Sequence, residues 1–358
     1  MKDLNIMVSA AGAPGCSTLI RYFKGVKERD LRVVGVDMDG EGIGRFLCDK
    51  FYQVPPVDDP NYLYRMVNII MDENIDVFFC VSSAEVELVS KNIHEFTSAG
   101  CVVTVSNYES IKRAVDKHEV YRSLYKLGMP VPSFRTPKSL GEFIDDAHDL
   151  GYPDKEICFK PFVSKGSRGF RIINDNISKK DLLLNYKPEA VYMSMDEFKS
   201  IFENEEFPNF LLMEKVNGTD YDCMVLANAG ESLLTTVKTR EKSRWGIITN
   251  GELVDSPVHV ELCEKIIREF GLSYNISIQF IDEYIIEINP RTSTYIYTDD
   301  FIEPYLAVKL SLGEVTNEEV KKYQSKVPIG RRMVRYMDQV FFDDVTKKDF
   351  GYTGVYHG

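Results

Sequence analysis

Over its first hundred residues the chain alternates short apolar runs with stretches of helical spacing. Leu4 to Ser9 is an apolar run of strand length, and Arg32 to Asp37, Asp76 to Val81 and Cys101 to Val105 repeat it. Between them, Ser17 to Glu28, Asn61 to Asn74 and Glu85 to Ala99 set apolar residues three and four apart, which gives a helix one buried face. Strands and helices in strict alternation predict a βαβ series, a small parallel sheet with helices on its faces. The turn after the first strand, Ala10-Ala11-Gly12-Ala13-Pro14-Gly15, invites a dinucleotide reading with Asp37 as ribose acceptor. Its Gly-x-x-Gly spacing is not Gly-x-Gly-x-x-Gly, so a structural turn is the stronger reading.

The pattern changes near residue 108. Ser110 to Leu127 predicts one helix, stopped by Gly128-Met129-Pro130-Val131-Pro132. Beyond it, Glu142 to Leu150 and Val258 to Phe270 have helical spacing. Glu156 to Pro161, Phe210 to Glu214, Tyr221 to Asn228 and Ser232 to Arg240 have strand character, and 174 to 209 mixes helix and loop. Ser277 to Ile281 and Tyr284 to Ile288 predict a hairpin around Asp282-Glu283. The middle and end of the chain are therefore α+β with antiparallel hairpins; the last thirty or so residues carry no clear pattern, and no repeat or low-complexity segment is present.

The hairpin ends in the most informative run of the chain, Glu287-Ile288-Asn289-Pro290-Arg291. Glu287 and Asn289 are two apart, so on a strand both side chains leave one face. A carboxylate and an amide carbonyl are hard oxygen donors of the kind Mg²⁺ takes while it holds nucleotide phosphates. Arg291 adds a guanidinium for the same phosphates. Gln279 faces Glu287 if the hairpin loop spans three residues, Asp282 to Tyr284, and faces away if it spans two.

Composition narrows the function classes. The 358 residues exceed one ordinary domain, and 44% hydrophobic with 27% charged residues is globular. No apolar run is long enough to span a bilayer, which predicts no membrane role. The net charge of −12, without basic clusters, argues against nucleic-acid binding. Seven scattered cysteines without a Cys-x-x-Cys pair predict reduced core residues and a cytoplasmic protein, and five histidines without ligand spacing argue against zinc.

Other segments carry charge where an anion could use it. Lys160 ends an apolar strand, where a lysine is costly unless something anionic meets it. The loop Ser164-Lys165-Gly166-Ser167-Arg168-Gly169 combines glycines that admit close backbone approach with two cations, the makings of a mobile phosphate cover. Leu211 to Val216 offers an adenine apolar side chains and backbone groups near Glu214 and Val216, and Asp220 could accept from ribose. Lys238, Arg240, Lys242 and Arg244 alternate, so on one strand they would form a cationic stripe for a triphosphate or an acidic substrate.

In chain order these pieces resemble the ATP-grasp superfamily, nearest its carbamoyl-phosphate-synthase large-subunit-like branch, over about residues 1 to 325. The likeness rests on Asp116-Lys117, Phe159-Lys160-Pro161, Gly166-Ser167-Arg168-Gly169, Met213-Glu214-Lys215-Val216 and the Glu287 to Arg291 run with Gln279. The resemblance implies a fold and division: an α/β pre-ATP-grasp domain at 1-108, an α+β ATP-grasp domain at 109-325 with a lid at about 155-215, and an unassigned segment at 326-358. It implies roles too. Lys117, Lys160 and the loop residues Lys165, Ser167, Arg168 and Gly169 would meet ATP phosphates. Glu214, Lys215 and Val216 would hold adenine, and Asp220 ribose. Gln279, Glu287 and Asn289 would bind Mg²⁺, or Mn²⁺ in its place. Arg291, Lys160 and Arg240 would be the catalytic cations.

The implied reaction is ATP-dependent ligation. A small-molecule carboxylate is activated as an acylphosphate and joined to an amine, giving ADP and phosphate; a homodimer would suit this branch. One departure stands out. Carbamoyl-phosphate synthases place a histidine after a Gly-Ile pair, and here the run is Trp245-Gly246-Ile247-Ile248-Thr249, with Ile248 at that position. With one ATP-grasp unit where those synthases use two, the expectation is a stand-alone carboxylate–amine ligase. A phosphotransferase on the same scaffold and a non-catalytic nucleotide-binding regulator are the alternatives.

Overall fold

The computed structural model describes residues 1–164, 168–187, 191–244, 247–293 and 302–341. They fall into two compact units. The first takes Met1–Lys112, Asp222–Ile278 and the chain from Asn289; the second takes Arg113–Tyr221 and Gln279–Ile288. Among the described residues no helix is long and apolar enough to cross a membrane.

The first unit opens with β1 (Leu4–Val8), α1 (Cys16–Lys24), β2 (Leu31–Asp37), α2 (Gly44–Leu47), β3 (Lys50–Gln53), α3 (Tyr62–Asp72), β4 (Val77–Phe79), α4 (Val86–Lys91), α5 (Ile93–Ser98), β5 (Val102–Val103) and α6 (Tyr108–Val115). Its five strands are parallel in the order β3-β2-β1-β4-β5. The alternating pattern in the sequence foretells four of them. Strand β3 escapes it because none of its residues is buried, so no apolar run marks it. The predicted helix over Glu85 to Ala99 is two helices. Asn92 breaks it, with its side chain donating to the Leu88 carbonyl at 2.8 Å. Asp37 does not wait for a ribose: its carboxylate accepts from the Gly12 backbone at 2.8 Å and ties down the glycine turn.

The predicted helix from Ser110 to Leu127 is also two. Helix α6 stops at Val115, and α7 (Lys117–Lys126) begins afresh. Asp116 between them is extended, and its carboxylate accepts from the backbone of His118 and Glu119, an N-cap that competes with helix continuation. The second unit continues with β6 (Phe134–Arg135), α8 (Leu140–Asp149), β7 (Ile157–Pro161), β8 (Arg171–Ile173), α9 (Lys179–Asn185), β9 (Tyr192–Met193), α10 (Met195–Phe202) and β10 (Phe210–Glu214), with sheet order β6-β10-β7-β8-β9. One sheet face packs on an aromatic core that includes Phe143, Phe159, Phe198 and Phe210.

The remaining elements are β11 (Asp220–Asn228), β12 (Glu231–Thr239), β13 (Lys242–Arg244), β14 (Ile247–Val254), α11 (Pro257–Phe270), β15 (Tyr274–Ile281), β16 (Tyr284–Asn289), α12 (Glu303–Ser311), α13 (Asn317–Lys321), a 3-10 turn at Lys322–Lys326 and β17 (Arg332–Val334). The strands run β13-β14-β12-β11-β15-β16, with β17 paired to β14. Within the first unit, Ile6, Leu19 and Phe79 of the parallel layer share a core with Leu226, Leu234 and Leu306. One sequence expectation fails here. Strand β12 ends at Thr239 and β13 starts at Lys242, so Lys238, Arg240, Lys242 and Arg244 form no single-strand stripe. Lys238 is buried and pairs with Asp222 at 3.1 Å, while Lys242 and Arg244 are exposed.

Candidate functional site

Strand alternation builds a cavity on the second face of the second unit's sheet. On β7, Ile157 and Phe159 enter the aromatic core, and Cys158 and Lys160 therefore face the other way. On β10, Phe210 and Leu212 go to the core while Met213 lines the cavity. The cavity holds about 250 Å³, and Lys117, Lys160, Glu214, Lys215, Val216, Gln279 and Glu287 all border it.

Its floor is cationic and nearly closed to solvent. Lys160 is 6% exposed and Lys117 7%. The Lys160 ammonium donates to the Ile286 carbonyl at 2.8 Å and lies 5.2 Å from the centre of the Tyr121 ring. Lys117 donates to the Ser164 hydroxyl at 3.2 Å. Burial pushes the Lys160 pKa down from 10.5 to about 8; the Glu287 carboxylate opposes that shift, and neighbouring Lys117 adds to it. Burial also lowers Lys117, against the pull of Glu287 and Asp116. Two buried ammonium groups thus share the Glu287 carboxylate, while Glu214, also on the lining, is engaged by the Ser133 backbone; an anionic ligand would relieve the imbalance.

The far wall is more settled. The Glu214 side chain accepts from the Ser133 backbone at 2.8 Å. Lys215 pairs with Glu156 at 2.7 Å and donates to Asn217 at 2.7 Å, which fixes the start of the loop after β10. At Gly218 a Cβ would displace the Asp282 carboxylate, which accepts from the Thr219 backbone at 2.9 Å.

Not every candidate meets at the cavity. Asp220, Arg168 and Gly169 do not line it. Gly169 has φ +77°, and a Cβ there would touch the Pro161 ring at 2.7 Å, so its glycine is needed for loop packing. Lys165, Ser167 and Gly166 lie outside the described residues, as do Trp245 and Gly246. Ile248, where the synthases carry histidine, is buried on β14. Asn289, Arg291 and Arg240 belong to the first unit. There Arg291 donates from Nε to the Ser83 hydroxyl at 2.6 Å and from Nη1 to the Thr292 carbonyl at 2.7 Å. The hairpin loop is a correction. Strand β15 ends at Ile281 and β16 begins at Tyr284, so the loop is the two residues Asp282-Glu283, made possible by a positive φ at Asp282. Gln279 and Glu287 border the same cavity nonetheless.

Sequence reading missed Tyr121, whose ring supports Lys160 and whose hydroxyl donates to the Ile286 carbonyl at 3.3 Å. The signal was available, since Tyr121 is four residues after Lys117 and so shares its helix face. It missed the Ile286 carbonyl too, because a backbone acceptor leaves no residue-type signature. Among the described residues no cluster of three His, Cys, Asp or Glu forms a metal site. The hairpin brings two oxygen donors to the cavity, the Glu287 carboxylate and the Gln279 amide, a set that suits a hard divalent cation.

A βαβ layer followed by two α+β sheets, with buried lysines on the β7 and α7 side of a cavity and an acid–amide hairpin on another, is the architecture of an ATP-grasp protein. Residues 206–331 match the family described as ATP-grasp in the biosynthetic pathway with Ter operon, and residues 6–104 match the PylC-like N-terminal domain. The carbamoyl phosphate synthase large chain of Clostridium acetobutylicum is 22% identical over 237 residues, 62% of this chain and 20% of the synthase. This chain therefore spans about a fifth of that relative. In fold it is similar to the biotin carboxylase domain of 2-oxoglutarate carboxylase from Hydrogenobacter thermophilus, a dimer solved with MgADP, ADP and bicarbonate. That match has TM-score 0.60 and 17% identity, covering 87% of this chain and 70% of the other. It is also similar to N5-carboxyaminoimidazole synthetase from Staphylococcus aureus with ADP, at TM-score 0.56 and 16% identity over 81% and 70%.

Proposed function

We propose that this protein is an ATP-dependent ligase that joins a carboxylate to an amine. The observation that carries the reading is the pair of buried ammonium groups at the cavity, Lys117 and Lys160, which share the pull of the Glu287 carboxylate. A triphosphate supplies the missing negative charge, and an adenine would lie against Met213 and the backbone from Glu214 to Val216. Glu287 and Gln279 would hold Mg²⁺, with Asn289 two residues along the strand as a further donor. When bound, that ion would neutralise phosphate charge.

The reaction then needs no covalent nucleophile from the protein. A carboxylate oxygen of the substrate attacks the γ-phosphorus, and ADP leaves with the electrons of the broken P–O bond. The amine lone pair attacks the acyl carbon of the resulting acylphosphate. The C–O bond breaks, phosphate leaves, and the nitrogen gives up a proton to it or to solvent. Lys160 and Lys117 hold the phosphates in place, and Arg291 is the cation proposed to steady the transferred phosphoryl group.

The test is a screen of phosphate release with amino acids and sugar acids offered in carboxylate–amine pairs. The expected outcome is ADP and phosphate formed only when both partners are present, with an amide product by mass spectrometry. A stable phosphorylated product from one partner alone would replace the ligase with a phosphotransferase. Absence of ADP or ATP binding in calorimetry would remove the nucleotide reading altogether.

A further inference from the structure

The first unit holds a second and larger cavity, about 880 Å³, within the range of sites that bury a whole small molecule. Its walls are the turn after β1 with α1, the β13–β14 edge, and the segment through β17. Five arginines line it: Arg21 on α1, Arg244 on β13, and Arg331, Arg332 and Arg335 around β17. Among the described residues of the lining the one acidic side chain is Asp338. In a chain of net charge −12 that concentration runs against the whole composition.

Arg332 and Arg335 hold the walls together, and Arg21 donates from Nε to the Ser17 carbonyl at 3.3 Å. Arg332 pairs with Glu241 at 2.7 Å and Glu252 at 2.6 Å, both outside the lining. Arg335 donates to the carbonyls of Pro14 at 3.2 Å and Ile248 at 3.3 Å, joining the β1–α1 turn to β14 and fixing the wall. Arg21 and Arg331 are exposed. Between the cations the surface is apolar, with Tyr22, Leu47, Ile247 and Met333 among its contributors. Forked guanidinium groups match carboxylate and phosphate oxygens two at a time, and the apolar ground between them suits a ring or branched chain.

We propose that this cavity binds an organic anion, a carboxylate or phosphate attached to an apolar body. The site is separate from the nucleotide cavity of the second unit and does not depend on the ligase reading. Calorimetry with four probes tests it: phenyl phosphate, phenylsuccinate, inorganic phosphate and benzyl alcohol. At least one ring-bearing anion is expected to bind tenfold or more tighter than inorganic phosphate and benzyl alcohol. Which of the two binds better separates a phosphate ligand from a carboxylate. The double variant Arg21→Gln, Arg331→Gln is expected to lose at least tenfold in that affinity and to keep wild-type ADP binding. The proposal is overturned if neither ring-bearing anion exceeds inorganic phosphate, if the variant keeps full affinity, or if it loses ADP binding as well. Failure of wild-type protein to bind ADP would instead sink the nucleotide reading and leave this one standing.

Discussion

In the second unit the buried cations are lysines that share the Glu287 carboxylate; in the first they are arginines, most of them exposed, on the lining of a wider cavity. The difference lies in what each arrangement costs without a ligand. An ammonium is compact and strongly hydrated, so burying it depresses its pKa, as Lys160 shows at about 8. An exposed guanidinium stays charged and nearly cost-free, but salt screens it. The lysine cavity therefore stores a penalty that a ligand relieves, while the arginine cavity stores little and discriminates by shape and charge.

The sharpest way to break this contrast is Glu287→Gln. It removes the carboxylate that both lysines share, and ATP turnover is expected to fall by at least about a hundredfold. The fold should survive, checked by phosphate release beside thermal melting; near-normal turnover would take Glu287 out of the site. Next in size is Lys160→Met. ADP affinity should fall by roughly ten- to a hundredfold, about 1.5–3 kcal/mol. The melting temperature should stay level or rise, because a buried charge is gone.

The pH profile follows from the same lysine. Below pH about 8 Lys160 is protonated whether the chain is folded or not, so its burial costs stability in full. Between about 8 and the ordinary 10.5 the folded form sheds the proton and the unfolded form keeps it, and the cost is progressively relieved. Phosphate binding runs the other way. ADP affinity should drop as pH rises above 8, and Lys160→Met should flatten the profile. A flat wild-type curve from pH 7.5 to 9.5 would contradict the assignment. The smallest effect is that of salt. Raising it from 50 to 500 mM should weaken the ring-bearing anion at the arginine cavity by a larger factor than ADP at the lysine cavity, since exposed charges are screened more than buried ones. Equal slopes in the two titrations would erase the distinction.

The lysine cavity was largely legible in the sequence because each part carries a local mark. Lys160 is a charge at the end of an apolar strand, and Glu287 sits in a strand whose polar positions have no surface reason. The arginine cavity was not legible. Arg331 and Arg335 come from an end without pattern, and Arg21 looks like any solvated helix residue until β17 pairs with β14. The helix breaks at Asn92 and Asp116 were missed for another reason. A side chain that caps a backbone group leaves the apolar spacing unchanged on both sides. Conversely, the even spacing of Lys238, Arg240, Lys242 and Arg244 suggested a stripe that a break after Thr239 prevents.

The second unit is assembled from two stretches of chain, Arg113–Tyr221 and Gln279–Ile288. Lys160 finds its carbonyl partner in Ile286, 126 residues later. On the ribosome, then, β7 emerges long before the strand that completes the cavity around its lysine. The cavity cannot be complete until the hairpin that carries Gln279 and Glu287 has been made. A nascent chain halted at Tyr221 would carry nearly all of the unit's residues and none of the hairpin that its two lysines share.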